Sequence, residues 1–243
     1  MQEQKNIAVI FAGGSGRRMN SGARPKQFLE LHGKPIIIYT LELFDSHPEI
    51  DAVYIACIEE WIPYLQKLTE RYGLSKIAAI VPGGATGQDS IYNGLRAAAA
   101  TNSPEDTIVL IHDGVRPLIN AEVISSNIST ARAKGSCITC VPAIETFVVR
   151  NAEGNYNIPS RADSLIARAP QTFRLAHILQ AHEQARREGR HDYIDSLTLM
   201  SHYGAPISTI LGPTENIKIT TPTDYFIFKA IVEARENSSI FGI

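Results

Sequence analysis

IAVIFAGGSGRRMNSGARPK, from Ile7 to Lys26, is the stretch on which the reading of this chain turns. Ile7 to Phe11 are consecutive apolar or small residues and predict a buried strand. Ala12-Gly13-Gly14-Ser15-Gly16 then strips away side-chain bulk, so a ligand backbone or phosphate can approach the main chain. Arg17, Arg18, Arg24 and Lys26 follow closely, which suits a loop that cradles a polyphosphate such as that of a nucleotide. Two other glycine patterns fail. A dinucleotide fingerprint needs a third glycine where Met19 stands, and a Walker A loop needs Lys and Ser or Thr directly after Gly16, where Arg17 and Arg18 stand. The plain alternative is a strand-to-helix turn with solvated arginines.

A chain of 243 residues, 44% hydrophobic, is long enough to bury a large core and suits one α/β domain. Its formal charge of -2 gives no general attraction to nucleic acid or to an anionic membrane, so the basic cluster around Arg18 and Lys26 is a local feature for a small ligand. The first apolar run begins after MQEQKN without a signal-like segment, and no run is long enough to span a bilayer; the expectation is a cytoplasmic protein. Cys57, Cys137 and Cys140 lie in strand-like runs and read as reduced core thiols.

Outward from the first strand, helix and strand patterns alternate. Helices are expected from Pro35 to about Ser46, from Trp61 to Tyr72, from Asp89 or Ser90 through the alanine run, and from Asn120 or Ala121 to Lys134. Strands are expected at 51–58, 77–81, 107–111 and 136–141. Glu145 to Val149 and Tyr156 to Ile158 form a hairpin too small to bury itself, an arm spanning roughly 142–168. Helices at 175–188 and 193–203, a strand at 207–211 and a helix at 222–234 complete the chain, and the alternation predicts a largely parallel sheet covered on both faces.

His112-Asp113-Gly114-Val115-Arg116-Pro117 follows a buried strand, where open α/β sheets gather ligands. Asp113 is a candidate to hold Mg²⁺ on the phosphates and Arg116 to contact a second anion; the alternative is a turn in which Asp113 simply pairs with Arg116. Lys218, just before the last helix, either joins them or extends its charged end to water. No G-x-S-x-G elbow or histidine-rich metal pattern is present.

Six motifs then carry a resemblance over nearly the whole chain: A-G-G-S-G-R-R-M (Ala12–Met19), P-K-Q-F-L (Pro25–Leu29), G-G-x-x-x-x-D-S (Gly83–Ser90), H-D-G-V-R-P (His112–Pro117), A-P-Q-T-F (Ala169–Phe173) and N-I-K-I-T-T-P (Asn216–Pro222). In that order they resemble the cytidylyltransferases acting on ribitol 5-phosphate or 2-C-methyl-D-erythritol 4-phosphate. The resemblance implies a Rossmann-like three-layer α/β fold, one domain over 1–243, a mostly parallel sheet and a protruding β-arm that forms a homodimer. It also implies CMP transfer from CTP to a phosphorylated polyol, with Mg²⁺ or another divalent cation. Residue by residue, Arg18, Lys26 and Lys218 become catalytic candidates, and Ala12, Gly13, Gly14, Gly16, Gly84, Ser90 and Asp113 bind the nucleotide, with Asp113 toward the metal. Arg116, Thr146 and Arg161 receive the acceptor, Arg161 reaching a partner subunit through the arm.

The departures fall near the acceptor. Gly87 stands where the family often has arginine, Ala169 replaces a threonine, and Glu145 replaces an aspartate. H-D-G-V-R-P, P-K-Q-F-L and Ile158-Pro159-Ser160-Arg161 look more like the ribitol 5-phosphate enzymes. D-Ribitol 5-phosphate is therefore the expected acceptor. Methylerythritol 4-phosphate or another polyol or sugar phosphate is the alternative, and a noncatalytic nucleotide-binding scaffold is the reading of another class.

Overall fold

The structure is a computed structural model that describes residues 4–14 and 24–241. Its centre is a seven-stranded sheet of β1 (Lys5–Ala12), β4 (Ala52–Cys57), β5 (Ile77–Pro82), β6 (Thr107–Asp113), β7 (Ser136–Pro142), β10 (Leu165–Arg174) and β11 (Thr209–Leu211). Side by side they lie in the order β11-β7-β10-β6-β1-β4-β5. β1 pairs in parallel with both β4 and β6, so the strand order reverses there and a crevice opens beyond the two carboxyl ends. β10 alone among the seven runs antiparallel to its neighbours, β6 and β7.

Residues of β1 alternate between two cores, as the twofold period of a strand requires. Ala8 and Ile10 join α1 (Ile36–Asp45), α2 (Ile62–Arg71) and α4 (Ala121–Lys134) through Ile37, Leu41, Leu65 and Ile124. Ile7 and Val9 face α3 (Gly87–Ala99), α5 (Leu175–Arg187) and α6 (Ser196–His202) through Leu95, Ile178 and Leu199. A third cluster, with Ile36, Val115, Ile219 and Phe228, docks the last helix, α7 (Pro222–Phe241), beside the crevice. The parallel three-layer expectation holds.

The element boundaries differ where capping chemistry decides them. α3 begins at Gly87 rather than at Asp89 or Ser90, because the Thr86 hydroxyl accepts from the Asp89 N–H at 3.0 Å. α6 is shorter than expected because Asp195 and Thr198 form a reciprocal capping box at Ser196. The arm contains a ladder of only two residues per strand, β8 (Val149–Arg150) with β9 (Tyr156–Asn157), shorter than the expected hairpin. Two further short strands, β2 (Glu30–Leu31) and β3 (Lys34–Pro35), precede α1. β10 was not expected as a strand at all. No helix among the described residues is long and apolar enough to cross a membrane.

Candidate active site

The end of β1 and the end of β6 are held side by side, with Phe11 opposite Asp113 and the Gly114 N–H donating to the Phe11 carbonyl at 3.0 Å. The sheet thereby sets the glycine cradle next to the acidic loop. Gln27 Nε2 donates to the Ala12 carbonyl at 2.7 Å, anchoring the short 3-10 turn at Lys26–Phe28 beside the cradle. A cleft of about 410 Å³ results, lined by Ala12, Gly13, Gly14, Lys26, Gly84, Ser90, Asp113 and Lys218. Residues that the sequence spreads across two hundred positions thus share one cavity. Arg17, Arg18 and Gly16 lie outside the described residues.

The cradle glycines serve two purposes. A Cβ on Gly13 would lie 2.6 Å from Ser90 Oγ on α3, and one on Gly84 would meet Asp89 in the first turn of the same helix, so Gly13 stays bare where the cradle packs on α3 and Gly84 where its own loop turns tightly into α3. Ser90 Oγ fixes that turn by donating to the Thr86 carbonyl at 2.9 Å and accepting from the Gly84 N–H at 3.0 Å. Gly14 differs. No other described residue comes within 4 Å of its Cβ position, and Gly14 itself lines the cleft.

Asp113 is the electrostatic centre. Its Oδ2 accepts from Arg116 Nε at 2.8 Å, while Lys218 Nζ lies 2.5 Å from Oδ1. Burial alone would raise its pKa, but Lys218 and Arg116 together hold the carboxyl well below the usual range, so it is anionic at neutral pH. Arg116 pairs with Asp113 as the plain turn alternative expects, and Lys218 stands beside Asp113, its Nζ 5.6 Å from the centre of the Phe11 ring. His112 is fully buried; desolvation pushes its pKa down to about 4, and its Nε2 lies 3.0 Å from the Arg116 carbonyl. It packs the loop as a neutral ring.

Asn216, which the sequence offered only as part of a motif, ties three segments together. Its Nδ2 donates to the Ala169 carbonyl at 2.7 Å, and its own carbonyl accepts from Arg116 Nη1 at 2.9 Å and from Arg168 Nη1 at 3.4 Å. The Ile219 N–H donates to the Val115 carbonyl at 2.9 Å, completing the clamp that presents Lys218. Beyond Asp113 a second cavity of about 270 Å³ opens, sharing Phe11, Gly87, Asp113 and Lys218 with the cleft and reaching Arg116, Arg168 and His182.

Thr146 and Arg161 are not brought here within one chain. Both are exposed on the arm and line neither cavity. Among the described residues no group of three or more His, Cys, Asp or Glu gathers as a metal cluster. The three thiols are buried and unbonded, with Cys57 pushed up to about 12 and Cys137 to about 11 by desolvation, as expected of inert core residues.

Known proteins resemble this arrangement from end to end. A ribitol-5-phosphate cytidylyltransferase of Streptococcus agalactiae serotype III (strain NEM316) is 50% identical over 98% of this chain and all of its own length. A 2-C-methyl-D-erythritol 4-phosphate cytidylyltransferase of Clostridium botulinum (strain Loch Maree / Type A3) is 36% identical over 94% of this chain and 98% of its own. The crystal structure of 4-diphosphocytidyl-2C-methyl-D-erythritol synthase from Anaerococcus prevotii DSM 20548 shares the fold with a TM-score of 0.80, at 24% identity, over 95% of this chain and 96% of that one. The profile of IspD, 2-C-methyl-D-erythritol 4-phosphate cytidylyltransferase, matches residues 6–234, and the chain belongs to this family of cytidylyltransferases.

Proposed function

We infer that the protein transfers CMP from CTP to D-ribitol 5-phosphate, giving CDP-ribitol and pyrophosphate. The observation that carries the acceptor is the identity gap: 50% to the S. agalactiae ribitol-5-phosphate enzyme against 36% to the C. botulinum methylerythritol enzyme, both nearly end to end. The two adjoining cavities suit a two-substrate transfer, the cleft for CTP and the cavity beyond Asp113 for the acceptor.

In the reaction, a phosphate oxygen of the acceptor forms a bond to the α-phosphorus of CTP. The bond from that phosphorus to the bridging oxygen breaks, and pyrophosphate leaves with the electron pair. A phosphate monoester is already largely dianionic at neutral pH, so a general base is not required. The obstacle is repulsion between two polyanions. Lys26 and Lys218, which both line the cleft, offset it, Arg116 holds Asp113 in place, and Arg18 is assigned to the triphosphate from the family resemblance. Ser90 and Gly84 shape the wall that receives the cytosine and ribose.

A divalent cation fits in a limited way. Mg²⁺ commonly takes one or two carboxylates and completes its shell with substrate phosphates and water, and Asp113 supplies one ionised carboxylate at the cleft. When bound, such an ion would neutralise triphosphate charge and polarise the α-phosphate. We further assign the whole chain to one catalytic domain, with residues 142–168 as an arm for a second copy. Ile144 and Tyr156 are 73% and 70% exposed on that arm, an apolar surface that pairing would cover, and Thr146 and Arg161 would then approach the partner's acceptor cavity. The test is an incubation with Mg²⁺, each nucleoside triphosphate and a panel of polyol phosphates, with products identified by mass. A product from another triphosphate and none from CTP would reject the reading.

A further inference from the structure

Arg168 lies in β10 where the ladder to β7 shifts register between Ala167 and Gln171, an irregularity of the kind that re-aims a side chain. It lines the second cavity and is absent from the lining of the nucleotide cleft. Its bonding is incomplete. Nη1 reaches the Asn216 carbonyl only at 3.4 Å, Nε is buried without a partner, and no carboxylate among the described residues pairs with it. Desolvation and the neighbouring Arg116 cation both disfavour its charge.

The surrounding charges do not balance. Arg116 and Lys218 already share Asp113, so Arg168 adds a third cation beside a carboxylate that is fully engaged. Asp195, at another part of the cavity wall, is engaged in capping α6 and in accepting from Gln171 Nε2 at 3.2 Å. A half-buried guanidinium left in this state costs stability unless something else compensates it. A phosphate monoester supplies the missing charge, and its oxygens match the planar donor fork of arginine.

We propose that Arg168 binds the phosphate of the acceptor and thereby sets the preference for a phosphorylated over a free polyol. The proposal rests on the reading of the protein as a polyol-phosphate cytidylyltransferase. Because Arg168 faces the second cavity and not the cleft, its contribution falls on the acceptor and not on CTP.

Arg168→Met and Arg168→Lys, assayed in the full-length protein with CTP, Mg²⁺ and the polyol phosphate that the parent turns over, separate this role from a structural one. Loss of a charge-assisted contact predicts an acceptor KM raised about 10- to 100-fold in Arg168→Met, with the CTP KM changed less than about 2-fold and Arg168→Lys in between. Removing an uncompensated cation also predicts a ligand-free melting temperature equal to or above that of the parent. D-Ribitol 5-phosphate should raise the parent's melting temperature more than D-ribitol does, and Arg168→Met should lose that difference. An unchanged acceptor KM, an equal rise in both KM values, or a lower melting temperature with the phosphate preference intact would each overturn the role of Arg168. A parent protein that makes no CTP-dependent product from any polyol phosphate would instead reject the functional reading, and this proposal with it.

Discussion

Acidification should unfold this protein partly through one histidine. His182, on α5, is 1% exposed, stacks on Tyr92 with ring centres 5.9 Å apart, and has no hydrogen-bond partner at either ring nitrogen among the described residues. Desolvation, reinforced by the Arg186 cation and only partly opposed by Asp89, pushes its pKa down to about 4. The unfolded chain binds a proton at this residue as pH falls below about 6.5, whereas the folded chain resists until about 4, so stability present at neutral pH is lost across that window. The linkage gives a loss of about 2 kcal/mol by pH 5 and about 3 kcal/mol by pH 4. His182→Leu removes the titrating ring and keeps an apolar side chain in the pocket. Urea unfolding followed by circular dichroism at pH 7 and at pH 5 then isolates the effect, because the other groups titrate in both proteins. The variant should lose about 2 kcal/mol less than the parent over that interval. Equal losses in the two proteins would refute the reasoning.

The remaining predictions probe the site. Asp113→Ala strands two cations around a buried position and should cost about 3–5 kcal/mol in denaturant titration, with turnover abolished. Lys218→Met leaves the buried Asp113 carboxylate to Arg116 alone, so stability should fall by about 1–3 kcal/mol, less than in Asp113→Ala. Its turnover should nevertheless fall at least about 100-fold; a fold loss as large as that of Asp113→Ala would contradict the assignment. Lys26→Ala should likewise remain folded by circular dichroism while CTP turnover collapses, and near-parental rates would sink the cytidylyl mechanism. Gly13→Ala should destabilise by about 1–3 kcal/mol, since its Cβ would meet Ser90 Oγ, and the penalty should shrink when Ser90→Ala is added; strict additivity in the double-mutant cycle would show that the cradle and α3 do not press on each other.

The parallel part of the fold was legible because buried strands announce themselves. β6 is buried at every position, and β1 alternates between two apolar cores, so continuous apolar runs at both mark a central sheet. β10 escaped the same reasoning. LIARAPQTFR carries two arginines and a proline, and proline ordinarily demotes a run to an edge or a loop. The strand is central nonetheless, because Pro170 falls within the register shift against β7 where a ladder bond is not required of it. The start of α3 was missed for a simpler reason: Thr86-x-x-Asp89 is a capping pattern, but the glycines around it read as a continuing turn.

The same division runs through the site. Asp113, Lys26 and Lys218 were legible because charged residues stood immediately beyond apolar runs or inside ordered motifs, and strand ends place such residues in the crevice. Arg168 was not, because its significance lies in what it lacks, and the absence of a partner has no signature in sequence. Asn216 explains how both kinds of residue come to face one another. Its buried side chain grips the Ala169 carbonyl of β10, while its carbonyl receives the Arg116 and Arg168 guanidinium groups. The antiparallel strand therefore completes the cluster at the carboxyl ends of its parallel neighbours. In this chain Ala169 offers that hub a carbonyl and no hydroxyl, and the neighbouring Gln171 side chain is taken up by Asp195 and the Leu197 N–H, which leaves Arg168 as the polar group on this strand proposed for the acceptor phosphate.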